Sequence, residues 1–334
     1  MAIVGRRVSV IGAGSWGTTV AVLAAAQGDV ALWARNPEVV REINDEHRNH
    51  QYVGSFLLPL SVHGEADLTR AVADAEIVAM AIPAKGFIEI AHRAGRAAKP
   101  GSIVVSLTKG LAAGSRRRMS EVLQEAFPRC GVAVLSGPNL ASEIIAGQPA
   151  ASVVASTDEG VAREVATALS TPMFRLYTNE DVVGCEIGGV VKNVIAIGAG
   201  IAQGFGFGDN AKAAVITRGL AEMTRLGVAL GARPETFSGL AGLGDLVATC
   251  ASMQSRNTQV GVRLGRGESI DVIEASMQMV AEGVRASSLV VELARERGVE
   301  MPISEQVALV CQGRKTAGDA LTDLLSRRSK AEFE

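Results

Sequence analysis

The sequence predicts a chain in two parts, an α/β part with a doubly wound, mostly parallel sheet and then an all-helical part. Three observations carry this. Short apolar, β-branched runs alternate with helical patterns as far as about Val183, the rhythm of a parallel sheet covered on both faces. From Ile187 onward no segment reads as a strand. The length of 334 residues also suits two domains of roughly 150 residues each. The parts are expected to be residues 1–186 and 187–334.

In order, Val8 to Ile11 reads as a strand, and Ser15 to Gln27 as a helix stopped by Gly28. Val30 to Ala34 is the second strand, and Glu76 to Ile82 and Ser102 to Leu107 flank a helix-like stretch from Lys85 to Ala98. Val132 to Leu135, Ala151 to Ala155 and Phe174 to Leu176 continue the strand series. Segments 187–201, 211–230, 234–251, 256–265, 270–279, 283–297, 302–312 and 317–328 read as helices. Within 211–230, Ile216, Leu220, Met223, Leu226 and Leu230 form an apolar stripe, and Arg218, Glu222 and Arg225 a charged one.

Composition removes several classes of function. A 48% hydrophobic chain is not globally disordered, and a net charge of −2 gives no reason to expect a nucleic-acid or anionic-membrane partner. The cluster Arg116-Arg117-Arg118 reads as a solvated helix start. Met1 to Ile11 reads as a basic-flanked strand, not a signal segment. The apolar stretch Ile187 to Ile201 carries Lys192 and Asn193 and reads as too short to span a bilayer. Cys130, Cys185, Cys250 and Cys311 lack paired spacing and are expected to be reduced, mostly core residues of a cytoplasmic protein.

The first strand runs straight into Gly12-Ala13-Gly14-Ser15-Trp16-Gly17, which opens a helix. In that setting Gly12 permits the tight turn, Gly14 lets backbone approach a pyrophosphate, and Gly17 allows close helix–strand packing. The helix start then offers free N–H groups and the positive end of its dipole to the anion. An NAD-selective site usually carries an acid at the end of the second strand. Here the chain reads Trp33-Ala34-Arg35-Asn36-Pro37, with no acid before Glu38. An arginine there suits a 2′-phosphate, so NADP(H) is slightly preferred over NAD(H).

A ketone that accepts a hydride also needs a proton. All four histidines (His47, His50, His63 and His92) precede residue 93. His47 and His50 fall in the polar run Asn44 to His50, read as a solvated loop. Nothing completes a metal set there, so no metal is expected. Lysine is scarce, which draws attention to Lys192 on an apolar helix, where desolvation adjusts an amine for acid–base work. Asp245 stands alone among apolar residues and needs a partner, for which Lys192 is the natural candidate. Lys109 follows the strand ending at Leu107, and Ser136-Gly137-Pro138-Asn139 follows the next; both fall on the carboxyl edge where open α/β sheets bind ligands. Asn139 also suits the N-cap of the following helix. Gln254-Ser255-Arg256-Asn257-Thr258 offers many donors and no acid, which suits a phosphate, or alternatively a helix start capped by Ser255.

These segments together resemble bacterial-type NAD(P)-dependent glycerol-3-phosphate dehydrogenase over nearly the whole chain. The likeness rests on the glycine loop, Ser106-Leu-Thr-Lys-Gly-Leu111, Gly137-Pro-Asn-Leu-Ala-Ser-Glu143, Gly189 to Gly200, Ile216 to Glu222, Gly242-Leu-Gly-Asp-Leu246 and Ser255-Arg-Asn257. The resemblance implies a Rossmann domain followed by a helical substrate-binding and catalytic domain similar to that of 6-phosphogluconate dehydrogenase. It implies interconversion of sn-glycerol 3-phosphate and dihydroxyacetone phosphate for phospholipid synthesis, by a homodimer. It makes Lys192 the proton donor or acceptor, supported by Lys109 and Asp245. It places Lys109, Gly137, Asn139, Asp245 and Thr249 around the substrate, with Ser255, Arg256 and Asn257 at its phosphate. Gly12, Gly14, Ser15, Trp16, Gly17, Arg35, Tyr52, Lys109, Ala141, Arg256, Val280 and Glu282 match cofactor contacts. Two other readings are a related two-domain β-hydroxyacid dehydrogenase, which would bind a carboxylate, and a nucleotide-sensing module without catalysis.

Overall fold

The computed structural model describes residues 6–112, 114–277, 281–328 and 331. The first unit, residues 1–186, contains β1 (Val8–Ile11), α1 (Ser15–Ala24), β2 (Val30–Trp33), α2 (Pro37–Glu46), α3 (His50–Val53), β3 (Val62–Glu65), α4 (Leu68–Ala73), β4 (Ile77–Met80), α5 (Phe87–Ala97), β5 (Ile103–Ser106), α6 (Met119–Ala126), β6 (Gly131–Ser136), α7 (Ala141–Ile145), β7 (Ala150–Ala155), α8 (Glu159–Leu169) and β8 (Phe174–Asn179). The strands form one sheet in the order β3-β2-β1-β4-β5-β6-β7-β8. Every pairing is parallel except β6 with β7.

The sheet is a doubly wound Rossmann arrangement. Strand order reverses beside β1, between β2 and β4, which creates the crevice where such sheets bind ligands. Register aligns the carboxyl ends: Ile11 sits opposite both Trp33 and Met80, and Ser106 opposite Met80 and Val134. β1, β4 and β5 are buried along their whole length, which is why they read as continuous apolar runs. Two apolar layers enclose the sheet, one around Val10, Leu32 and Val105 and the other around Ile11, Phe87 and Phe127.

The second unit, residues 187–334, holds most of α9 (Val182–Gly204), then α10 (Asp209–Ala229), α11 (Pro234–Ser238), α12 (Asp245–Ala251), α13 (Arg256–Gly265), α14 (Ile270–Ser276), α15 (Glu282–Glu296), α16 (Pro302–Cys311) and α17 (Ala317–Leu325). Two helices meet at a glycine seam. A Cβ on Gly200 would lie 2.4 Å from the Thr258 carbonyl oxygen, and one on Gly261 would lie 2.1 Å from that of Ile197. Gly204 and Gly265 repeat the contact one turn on. The backbones of α9 and α13 therefore touch without intervening side chains.

Several expectations from the sequence need correction. α9 has 23 residues, so it is long enough and apolar enough to cross a membrane; 83% of its most apolar window is instead buried within the protein. The stretch 234–251 is three pieces, α11, a π-helical turn over Leu240–Gly244, and α12. The first helix stops at Ala24, four residues before Gly28. The polar run 44–50 is not a solvated loop: Asn44, Asp45 and Glu46 belong to α2, and Asn49 is fully buried. β3, with His63 and Gly64 among its four residues, lacks the β-branched signature and escapes a sequence reading.

Arg118 is no solvated helix start either. Its Nη1 donates to the buried Glu186 at 2.9 Å and its backbone N–H to Glu121 at 2.7 Å. Burial pushes the Glu186 carboxyl above the usual range, opposed by the Arg118 charge and by hydrogen bonds from Ser120. Glu222 leaves the charged stripe it was assigned to. It is 1% exposed and accepts from the Ile303 and Ser304 N–H groups and the Ser304 hydroxyl. The four cysteines are free, three of them buried. Burial pushes the Cys250 and Cys311 thiols up to about 12, so both remain unreactive thiols.

Candidate active site

β1 delivers the chain to Gly12 at the switch point. Gly12 has φ +114°, and a Cβ there would lie 2.6 Å from the Ala81 carbonyl oxygen. A Cβ on Gly17 would lie 1.9 Å from the Gly12 oxygen. Both positions exclude a side chain because backbone packs on backbone. Gly14 differs: its φ of −74° is ordinary, and no atom lies within 4 Å of where its Cβ would stand. The space is open, as a site for backbone approach to a phosphate requires. Gly14 is the N-cap of α1, whose first turn carries no acid. The first N–H groups of that helix, Ser15, Trp16 and Gly17, have no intrahelical acceptor and face an anion favourably.

Around this loop, the Ser15 hydroxyl donates to the Tyr52 carbonyl oxygen at 2.8 Å, so Tyr52 meets the loop through its backbone. Trp16 packs edge-on to Phe174 with 6.4 Å between centroids, and its buried Nε1 has no partner. Arg35 is exposed just beyond β2, and Asn36 caps α2 by accepting from the Glu38 N–H. Ala141 opens α7, and its carbonyl oxygen accepts from Thr19 Oγ1 of α1 at 3.4 Å. Ala13 also accepts from buried Asn49, a residue that the sequence reading missed. No local signal marks it, because its partners lie 36 and 31 residues upstream.

Further along the same carboxyl edge, Lys109 Nζ donates to the Gly137 carbonyl oxygen at 2.6 Å. Asn139 Oδ1 accepts from the Ser152 hydroxyl. Asn139 is not the N-cap of α7; that position is Leu140, without a side-chain cap. The Asn139 side chain is committed to β7 instead, and its buried Nδ2 has no partner. An orphaned buried donor at a strand end is costly to leave unpaired, and it offers a hydrogen bond to a ligand.

In the second unit, α9 carries Lys192, 7% exposed, in an almost wholly apolar setting. Its Nζ donates to Asp245 Oδ1 at 3.0 Å and to Thr249 Oγ1 at 2.6 Å. Thr249 in turn donates to the Asp245 carbonyl oxygen at 2.7 Å. Asp245 and Thr249 are four residues apart on α12, on one face of the helix, and both are buried. The π turn before α12 brings Asp245 to the helix start. Residues 53 and 57 positions from the lysine thus meet in one buried, charge-balanced group.

α13 starts next to that group, with Thr258 Oγ1 donating to the Thr249 carbonyl oxygen at 2.8 Å. Ser255 caps α13, its hydroxyl accepting from the Thr258 N–H. Arg256 at the first helical position is exposed. Asn257 is buried and takes both sides of its amide inward, donating to Asn193 Oδ1 at 2.9 Å and accepting from the Gly283 N–H at 2.9 Å. Asn193 sits next to Lys192, and Gly283 follows Glu282 at the start of α15. The amide chain Asn193–Asn257–Gly283 therefore joins α9, α13 and α15. Gly283 was not singled out by sequence; a Cβ there would meet the Asn193 oxygen at 2.6 Å. Val280 lies outside the described residues. Among the described residues no group of three or more His, Cys, Asp and Glu could hold a metal.

The chain is similar to known proteins of one family. A family profile described as NAD-dependent glycerol-3-phosphate dehydrogenase N-terminus matches residues 7–162, and its C-terminal counterpart matches 181–322. A Corynebacterium jeikeium protein named glycerol-3-phosphate dehydrogenase, NAD(P)+, is 50% identical over 330 residues, covering 98% of this chain and 99% of its own. One from Sphingopyxis alaskensis with that name, numbered 2, is 48% identical over 319 residues, 96% of each chain. The crystal structure of glycerol-3-phosphate dehydrogenase from Coxiella burnetii matches with TM-score 0.92 at 35% identity, over 97% of this chain and 99% of that one.

Proposed function

This chain belongs to the NAD-dependent glycerol-3-phosphate dehydrogenase family, and from that membership we propose that it interconverts sn-glycerol 3-phosphate and dihydroxyacetone phosphate using NAD(H) or NADP(H). The observation that carries the reading is the buried Lys192–Asp245–Thr249 group, in a chain whose other unit presents the glycine loop. The open space at Gly14 beside a helix N-terminus fits a dinucleotide pyrophosphate. When bound, the cofactor supplies or takes the hydride at the substrate's second carbon.

The protein's residues do the rest. In the reducing direction Lys192 gives a proton to the carbonyl oxygen as the alcohol forms, and it takes that proton back in the oxidising direction. Asp245 and Thr249 hold its Nζ in one place, and Asp245 supplies the counter-charge. Lys109, with Gly137 and Asn139, lines the carboxyl edge of the first unit, where its positive charge suits an anionic ligand. Ser255 and Asn257 set the start of α13, and Arg256 there reads the substrate phosphate with a planar fork of donors. Arg35 in place of an acid supports a slight preference for NADP(H). The resemblance extends the reading to a cytoplasmic homodimer supplying glycerol 3-phosphate for phospholipids, which light scattering tests for assembly.

The direct test follows NADPH and NADH absorbance with dihydroxyacetone phosphate and with unphosphorylated dihydroxyacetone. Rapid oxidation with the phosphate ester alone is expected. Inactivity with both, or a preference for a β-hydroxyacid's keto form, overturns the reading. Cofactor choice has its own test. Arg35→Ala should weaken NADPH more than NADH, by about 1.5–3 kcal/mol for a lost charged hydrogen bond, and equal losses would show that Arg35 does not read a 2′-phosphate.

A further inference from the structure

Asn49 occupies the N-cap position of α3, where asparagine normally accepts from an N–H of the first helical turn. Here the side chain makes no capping bond. It is 0% exposed, and Nδ2 donates instead to the Ala13 carbonyl oxygen at 2.9 Å and to Thr18 Oγ1 at 2.9 Å. Oδ1 is buried with no partner. The residue thus forgoes a local cap, and leaves an acceptor unsatisfied, in order to hold the glycine loop from behind. Three residues on, the Tyr52 carbonyl oxygen takes the Ser15 hydroxyl at 2.8 Å. The segment 49–52 therefore grips the loop at Ala13 and Ser15, and the helix that follows it at Thr18.

The bond to Ala13 has a directional consequence. A trans peptide unit is planar, with its C=O and the next residue's N–H pointing opposite ways, and the described chain has no cis peptide. Fixing the Ala13 oxygen on Asn49, in the interior, fixes the Gly14 N–H pointing away from it. Gly14 is the position whose missing side chain opens on empty space. Left free, the Ala13–Gly14 peptide unit would rotate at reduced steric cost, because Gly14 on its far side has no side chain to restrict φ, and the N–H would lose its aim.

We propose that Asn49 is a positioning residue for the dinucleotide, acting through the Ala13–Gly14 peptide unit. The proposal rests on the reading of the glycine loop as a cofactor site. Asn49 touches no cofactor in this scheme. It reduces the ordering that binding must impose on the loop, which is how a preformed site gains affinity.

The experiment measures NADPH dissociation constants by fluorescence, together with Tm, in five full-length proteins. Wild type and Gly14→Val test the loop itself. Valine has backbone freedom and room there in the ligand-free fold, so it should fold and yet block the anion. Asn49→Asp and Asn49→Leu remove the donor to Ala13, and Asn49→Asp, of unchanged size, carries the test if the leucine variant does not fold. Thr18→Val removes the other acceptor and spares the Ala13 bond. Weakening of NADPH by tenfold or more in the Asn49 variants is expected, with Thr18→Val within twofold of wild type despite a lowered Tm. Asn49→Asp binding within twofold of wild type overturns the proposal while the loop reading stands. Equal weakening by Thr18→Val also overturns it, since the effect would then follow stability alone. Unimpaired binding by Gly14→Val overturns the loop reading, and the proposal with it.

Discussion

Asp245 and Glu222 are both buried acids of the helical unit, each 1% exposed, yet they are satisfied by opposite means. Asp245 faces the Lys192 side chain, whose Nζ lies at 3.0 Å and which we propose carries the proton. Glu222 faces the backbone N–H groups of Ile303 and Ser304 and the Ser304 hydroxyl, at the N-terminus of α16. A carboxylate at a helix start is stabilised by donors that cannot leave, so Glu222 joins α10 to α16 and has no proton partner to work with. Burial alone therefore does not mark an acid as functional; the proposed difference between the two lies in the chemistry of what satisfies each.

The largest effect tests the working side of that contrast. Lys192→Ala should lower kcat by at least the ~100-fold typical of a general acid–base group, while NADPH still binds. Turnover near wild type would make the Lys192–Asp245 pair as structural as Glu222. Asp245→Asn comes next. Removing one charge from a buried pair costs about 3 kcal/mol or more when the partner stays charged. The variant should lose stability in urea titrations and lose kcat as well, because Lys192 no longer has a fixed counter-charge. Stability loss with unchanged kcat would mean that Asp245 anchors α12 and does nothing for the proton.

The contrast also explains what could be read in the sequence. The glycine loop was legible because it is contiguous and its roles belong to backbone: strand, turn and helix follow in eight or so residues. Asp245 was legible because a lone acid among apolar neighbours demands a partner, and Lys192 lay in an equally apolar stretch. Glu222 was misread because Arg218 and Arg225 flank it at helical spacing. The pattern gives the face of the helix, but the acceptor for that face is α16, some 80 residues on. Arg118 was misread for the same reason, its partner Glu186 being 68 residues away. Asn49 was hidden by the polarity of its neighbours, since a run of Asn, Asp, Glu, His and Arg looks solvated whichever member turns inward. The π turn at Leu240–Gly244 is invisible in the sequence because Leu-Ala-Gly-Leu-Gly carries no charge, proline or polar break to mark where the regular helix gives way.

The smallest effect lies on the Glu222 side. Burial pushes its carboxyl above the ordinary value of 4.5, opposed in part by hydrogen bonds from Ile303 and Ser304 and by the Arg225 charge. The folded protein thus binds this proton more tightly than the unfolded chain does. The resulting stability is fully present below about pH 4.5 and is lost as pH rises through the elevated folded value, each unit of elevation being worth about 1.4 kcal/mol. Glu222→Gln cannot ionise, so it lacks this loss. It also presents an NH2 group to donors that need an acceptor, which adds a penalty that pH does not change. The Gln variant should therefore start less stable than wild type near pH 4.5 and gain on it as pH rises, with kcat within twofold throughout. Urea midpoints from pH 4.5 to 8 check the slope. A gap that widens with pH would show that the N–H donors outweigh desolvation and hold Glu222 ionised, and a fall in kcat would place Glu222 with Asp245 after all.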